Sequence, residues 1–141
     1  MTDIKFIGTT QVELVNSLDE SNKISPTQVG ENFIEFSFNT LSINSNDFYH
    51  FVITGSNVQV SGTIDSVTTD YQFFSLFSGC SQITDASQLE LTAPTMKFFC
   101  FGNMFKDCTN LINPPSLEAT TLADWCYQGM FAGCSKMTSA P

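Results

Sequence analysis

Arginine is absent from this chain of 141 residues, and its five lysines face 14 acidic residues, for a formal net charge of −9. Phosphate backbones are bound through Lys and Arg, so nucleic acid is excluded as an expected partner, and anionic membrane surfaces are disfavoured for the same reason. The imbalance is uneven: residues 1–70 hold nine acids and two lysines, residues 71–141 five acids and three lysines. No apolar run reaches the roughly 18 residues of a membrane helix, so no membrane insertion is expected. The opening "MTDIKFIGTT" lacks a basic segment followed by an apolar one and reads as no Sec export signal.

Signals for chemistry are equally sparse. There is one histidine, His50, between Tyr49 and Phe51 in a strand-like run; no nearby Ser or Cys makes a nucleophile motif with it, and it reads as a surface or cross-strand residue. The acids Asp19, Glu20, Glu31 and Glu35 lack the D-x-[DN]-x-[DN]-G spacing of a calcium loop and read as a solvated face. A retaining glycosidase needs two carboxylates about 5 Å apart in a cleft, whereas the acids here are scattered. There is no Gly-rich phosphate loop. Zinc sites use short C-x₂₋₄-C pairs; the intervals here are Cys100-x₇-Cys108 and Cys126-x₇-Cys134. The expectation is therefore a protein that is not an enzyme, with no catalytic residue, no cofactor and no metal site.

What is present is apolar and aromatic: 42% hydrophobic residues and 14 Phe, enough to build a core. Before residue 67 the pattern is that of short strands. "FIEFSF" (Phe33–Phe38) alternates, with Ile34, Phe36 and Phe38 on one face. "FYHFVIT" (Phe48–Thr54) and "VQVSGTI" (Val58–Ile64) flank "GSN" and predict a hairpin. "NTLSINSND" (Asn39–Asp47) reads as a loop.

The second half repeats. "FCFGNMFKDCTNLINPP" and "WCYQGMFAGCSKMTSAP" align without a gap, and the steps Phe77–Cys80, Phe105–Cys108 and Phe131–Cys134 recur at 28 and then 26 residues. Leu76, Met104 and Met130 match, as do Ile83, Leu111 and Met137, and Tyr71, Phe99 and Trp125. Phe73, Phe101 and Tyr127 match too, as do Cys100 and Cys126, with Gln72 in the first copy. Leu89 and Leu117 align, which places the two extra residues in "LTAPTMK". A fixed period with matched apolar columns is the signature of a solenoid. Leu122, Trp125 or Cys126, and Met130 fall on one face at helical spacing. Thr121 with Asp124 resembles a capping box, and Gly79 and Gly133 suit the left-handed position that ends a helix. Each repeat is thus read as one helix plus one short strand. Helices stack about 8–10 Å apart and strands about 4.8 Å, which predicts a curved stack.

The five cysteines all lie in this half. An odd number leaves at least one free or paired between chains. Helix spacing sets Cys100 too far from Cys126 for a bridge; Cys80, Cys108 and Cys134 are three and cannot pair off. Buried reduced thiols at core positions are the reading. The structural repeat core is read as Phe77, Cys80, Ile83, Phe99, Cys100, Met104, Phe105, Cys108, Leu111, Leu122, Trp125, Cys126, Met130, Phe131, Cys134 and Met137. The aromatic columns are weighed as solenoid core first and as a carbohydrate or peptide platform second.

"MFAGCSKMTSAP", "LEATTLADWCYQGMF" and "LFSGCSQITDASQLEL" resemble the BspA-like leucine-rich repeats of surface proteins of gut anaerobic bacteria and of virion proteins of their phages. The resemblance covers residues 71–141. It implies adhesion or recognition without catalysis. The organisation read from the whole is mixed β and α: a β-rich cap or docking domain over 1–67, then a leucine-rich-repeat-like solenoid over 68–141, with repeats near 70–97, 98–123 and an incomplete 124–141. The expected function is a phage virion appendage, a head or tail decoration or fibre assembled in the host cytoplasm, displaying its repeats for attachment to a protein or glycan. Its partners would be other virion proteins or further copies, held through residues 1–67 and the open last repeat. A secreted bacterial surface adhesin and a purely architectural subunit are the alternatives.

Overall fold

The computed structural model describes residues 2–38, 49–139 and 141; the predicted loop over Asn39–Asp47, Phe48 and the Phe38 side chain lie outside the described residues. Among the described residues eight strands form two sheets. β1 (Thr2–Ile7), β4 (Gln28–Val29), β5 (Phe33–Phe38), β7 (Val58–Ile64) and β8 (Ile83–Leu91) make a five-stranded sheet in the order β4-β5-β1-β7-β8. β2 (Gln11–Asn16), β3 (Asp19–Ile24) and β6 (Tyr49–Thr54) make a three-stranded sheet in the order β3-β2-β6. Pairing is antiparallel except between β7 and β8, which run parallel.

Period-2 alternation explains the strands. In β1, Ile4 and Phe6 are fully buried while Asp3 and Lys5 are partly exposed; β5 buries Ile34 and Phe36, and β7 buries Val58, Val60 and Ile64. The two sheets meet through aromatic edges: the Phe6 and Phe51 rings lie 4.8 Å apart and Phe36 and Phe51 5.1 Å apart. The expected hairpin across "GSN" does not form. β6 pairs with β2 and β7 with β1, in different sheets, so the turn is a corner between layers. Gly55 at φ 128° and Asn57 at φ 53° turn it, and the Thr9 hydroxyl ties it to the Thr54 carbonyl.

The mixed β/α leucine-rich-repeat solenoid is overturned: the described residues contain no α-helix, and the fold is all-β. Where one helix per repeat was expected, residues 71–80, 98–108 and 124–134 are ribbons of overlapping tight turns. In each ribbon, alternate amides donate locally, i to i−3, as in Leu76 N to Phe73 O and Cys80 N to Phe77 O. The intervening amides donate sideways to the next ribbon: Phe73 to Cys100, Ser75 to Gly102, Phe77 to Met104, then Phe101 to Cys126, Asn103 to Gln128 and Phe105 to Met130. Every fourth residue has positive φ: Tyr71, Ser75 and Gly79; Phe99, Asn103 and Asp107; Trp125, Gly129 and Gly133. Nearly all of them sit third in a local turn, the position where a type II turn demands φ > 0. Gly79 and Gly133 are therefore left-handed as expected, but inside turns.

A ribbon that turns every four residues buries i, i+3, i+4 and i+7, here Phe73, Leu76, Phe77 and Cys80, which is the same pattern a helix would show. The spacing also corrects the predicted curvature. Ribbon meets ribbon through backbone hydrogen bonds, as strand meets strand, so both sides of the stack have the strand-like separation of about 4.8 Å. On the strand side, isolated parallel bridges join Asp85 to Asn113, Leu91 to Leu117 and Thr95 to Thr121. The offset changes from 28 to 26 between Asp85 and Leu91, so the two extra residues lie within β8, and Leu117 faces Leu91 where Leu89 was expected.

Candidate functional site

The three tiers of ribbon carry ladders of like side chains. The inner ladder is four rings deep: Phe51–Phe77 at 5.3 Å, Phe77–Phe105 at 4.9 Å and Phe105–Phe131 at 5.8 Å, all with interplanar angles of 18° or less. Phe51 belongs to β6, so the sandwich supplies the first rung; its amide donates to the Leu76 carbonyl. A thiol ladder runs beside it. Cys80 Sγ donates to Phe51 O at 3.3 Å, Cys108 Sγ to Phe77 O at 3.1 Å and Cys134 Sγ to Phe105 O at 3.0 Å.

All five cysteines are free and buried. Burial pushes the Cys80 thiol up to about 12 and Cys100 up to about 11, and raises Cys108 and Cys134 as well. Protonated thiols already donating to carbonyls are poor nucleophiles and poor metal ligands. Among the described residues no three His, Cys, Asp or Glu side chains gather into a metal-binding group. Gln72, standing where Cys100 and Cys126 stand in later tiers, accepts from Thr68 N at 2.6 Å and closes the top of that column.

Of the residues assigned to the repeat core, Phe77, Cys80, Ile83, Cys100, Met104, Phe105, Cys108, Leu111, Cys126, Met130 and Cys134 are buried, and Phe99, Phe131 and Met137 are half-buried. Leu122 and Trp125 differ: they are 63% and 60% exposed. On a helix the i, i+3/4, i+8 spacing would bring both inward; on the ribbon Trp125 is a left-handed residue at a corner and its side chain faces out.

That corner forms an outer aromatic face. Tyr71 stacks on Phe99 at 5.1 Å and 16°, Phe99 meets Trp125 at 5.0 Å, Phe98 lies 5.7 Å from both Tyr71 and Trp125, and Phe74 is 5.4 Å from Tyr71. All but Trp125 are half-buried, so each presents part of a ring to solvent. Left-handed φ costs a non-glycine residue about 1–2 kcal/mol, and Tyr71, Phe99 and Trp125 each adopt it. Ring contacts return about 0.5–1.5 kcal/mol each, so ring stacking and the sideways hydrogen bonds together hold the column. Gly102 lies beneath: a Cβ there would stand 2.8 Å from the Phe99 ring.

The structure also joins a pair that the sequence keeps 33 residues apart. Ser17 Oγ lies 2.6 Å from His50 Nδ1 on an exposed rim where β2 pairs β6. No carboxylate hydrogen-bonds His50 among the described residues, so the base has no orienting group of the kind a nucleophilic triad uses; the pair reads as a cross-strand contact. Compared with known proteins, the chain matches no family model, no curated protein and no solved structure.

Proposed function

We propose that this chain is a non-catalytic binding or structural protein whose outer aromatic face contacts a ligand, a protein or a glycan, on a surface. The observation that carries the reading is that face: five neighbouring rings over three tiers, with the lone Trp held outward in a strained backbone conformation. Aromatic residues dominate contact energetics, and exposed apolar patches mark interaction sites. Stored backbone strain clusters at such places. In its specific form the proposal is a virion appendage displaying the repeats, as the resemblance of residues 71–141 to BspA-like repeats implies. A secreted bacterial adhesin or an architectural subunit would present the same face from another location.

Trp125 is the only tryptophan, so its fluorescence reports directly on the face. Titration against a glycan panel and against isolated bacterial surface proteins should give a saturable change with at least one ligand. The double variant Phe98→Ala/Trp125→Ala should weaken that binding at least about tenfold, as truncated aromatic hot spots do, with far-UV spectra unchanged. Binding that survives the double variant, or turnover of any glycan, overturns the proposal.

A further inference from the structure

Three of the five thiols are committed to carbonyls one tier back. Cys100 is not: its Sγ lies 3.5 Å from Met96 Sδ. Cys126 stands at the same station one tier on. Each of these two cysteine amides turns back on the residue three before it, Lys97 or Ala123, and the Phe101 amide donates to the Cys126 carbonyl. The Met96 amide joins the same seam, donating to Thr121 O at 2.8 Å. All three side chains are buried. They lie between the second and third ribbons, so the chain itself supplies every wall that brings them together.

The ribbon fold changes what this pair of cysteines can do. Helix packing would hold Cys100 and Cys126 about 8–10 Å apart; the ribbons set them about 4.8 Å apart. A column of matched side chains keeps that spacing at Cβ, beyond the roughly 3.5–4.5 Å that a disulfide spans. It suits a shared ion instead. Two sulfurs bound to one ion at about 2.3 Å lie about 3.5 Å apart at a bond angle near 100° and about 4.6 Å apart when linear. The Met96–Cys100 contact matches the first value and the tier spacing is close to the second.

We infer that Met96, Cys100 and Cys126 form a binding site for one soft monovalent ion, copper(I), held by two thiolates and a thioether. Thiolate and thioether ligands select Cu(I), whereas structural zinc takes four ligands; among the described residues no histidine or carboxylate joins the two cysteines in a metal-binding group. On binding, two thiol protons pass to solvent and the group carries one negative charge. Burial opposes that charge at Cys100, and backbone hydrogen bonds at Lys97, Phe101 and Cys100 favour it. The site is separate from the outer aromatic face and stands independently of it.

The test uses the full reduced chain under nitrogen, with Cu(I) alone as the probe, in competition against a chromogenic Cu(I) chelator. The chain should withdraw one Cu(I) per molecule, and X-ray absorption should show only sulfur neighbours, at about 2.3 Å. Cys126→Ala and Met96→Leu should each weaken binding at least about tenfold, the loss that even an outer-shell partner brings. Cys134→Ala, in the other thiol ladder, should leave it unchanged. Met96→Leu keeps the side-chain volume, so it tests the thioether even where Cys126→Ala lowers the melting temperature. Four results would each overturn the inference: no withdrawal of copper; full-strength binding by folded Met96→Leu or Cys126→Ala protein; a loss in Cys134→Ala as large as theirs; or a Cys100–Cys126 disulfide mapped by mass spectrometry after exposure to air.

Discussion

At the scale of single residues, the cysteines show how a chemical group can be removed from chemistry by its surroundings. Each of Cys80, Cys108 and Cys134 points at the carbonyl of a ring-bearing residue one tier back, at 3.0 to 3.3 Å, and burial holds its proton. This has a pH consequence whose sign is fixed. In the unfolded chain these thiols ionise near their ordinary value of 9.0, whereas in the fold Cys100 keeps its proton to about 11 and Cys80 to about 12. The unfolded state therefore sheds protons first. The thiols' contribution is fully present below about pH 9 and is lost as pH rises from there, by roughly 1.4 kcal/mol per pH unit for each thiol until its folded value is passed. Urea denaturation at pH 7.5, 9 and 10.5 should show flat stability over the first step and a clear fall over the second. Equal stability at all three would mean that the thiols are not buried as described.

At the scale of elements, the parts legible in the sequence were the alternating strands and the inward columns. Ile34, Phe36, Val58, Val60 and Ile64 announce their faces by period 2, and "TDIKFI" carries the same signal for β1. The hairpin expected across Gly55–Asn57 does not form, because the two strands take partners in different sheets: β6 pairs with β2 and β7 with β1. The ribbons were not legible as ribbons because periods of 3.6 and 4 residues both bring i, i+3, i+4 and i+7 to one face, and they part only at longer spacings such as Leu122 to Met130. A usable signal did exist. Ser75, Asn103, Gly129, Gly79, Asp107 and Gly133 put Gly, Asn, Asp or Ser at every fourth position, residues that tolerate left-handed φ and are weak helix formers. Strand register carries its own constraint. Gly62 sits in β7 at φ 118°, and a Cβ there would stand 1.9 Å from the Asp3 carbonyl oxygen of β1. Gly62→Ala should destabilise by about 3 kcal/mol or more, among the larger single-residue costs. Thermal and chemical melts of this variant check it; a loss under about 1 kcal/mol would mean that β1 and β7 are not in this register.

At the scale of the whole molecule, the buried residues form one continuous cluster from Ile4 to Cys134, and it runs straight through the boundary expected near residue 67. β7 pairs β8 in parallel, Val58 N donates to Gln82 O, and Phe51 provides the first rung of the ring ladder. Residues 68–141 produced alone would thus expose Phe77, Ile83 and Leu89 on an open face. They should give a molten or aggregating product by near-UV spectroscopy and amide dispersion, while residues 1–141 fold cooperatively. A cooperatively folded 68–141 would mean that the sandwich is dispensable to the stack.

The sequence by itself determined the columns: which residues recur at 28 and 26, which of them are apolar, and that catalytic constellations are sparse. Those follow from composition and spacing, which are local. Only the tertiary structure decided what fills the period. In the first two ribbons the odd amides donate sideways to the next tier while the even ones turn back on their own chain. That choice between ribbon and helix, like the capping of the ladder by Phe51 from 26 residues upstream of Phe77, depends on neighbours that the local pattern does not name.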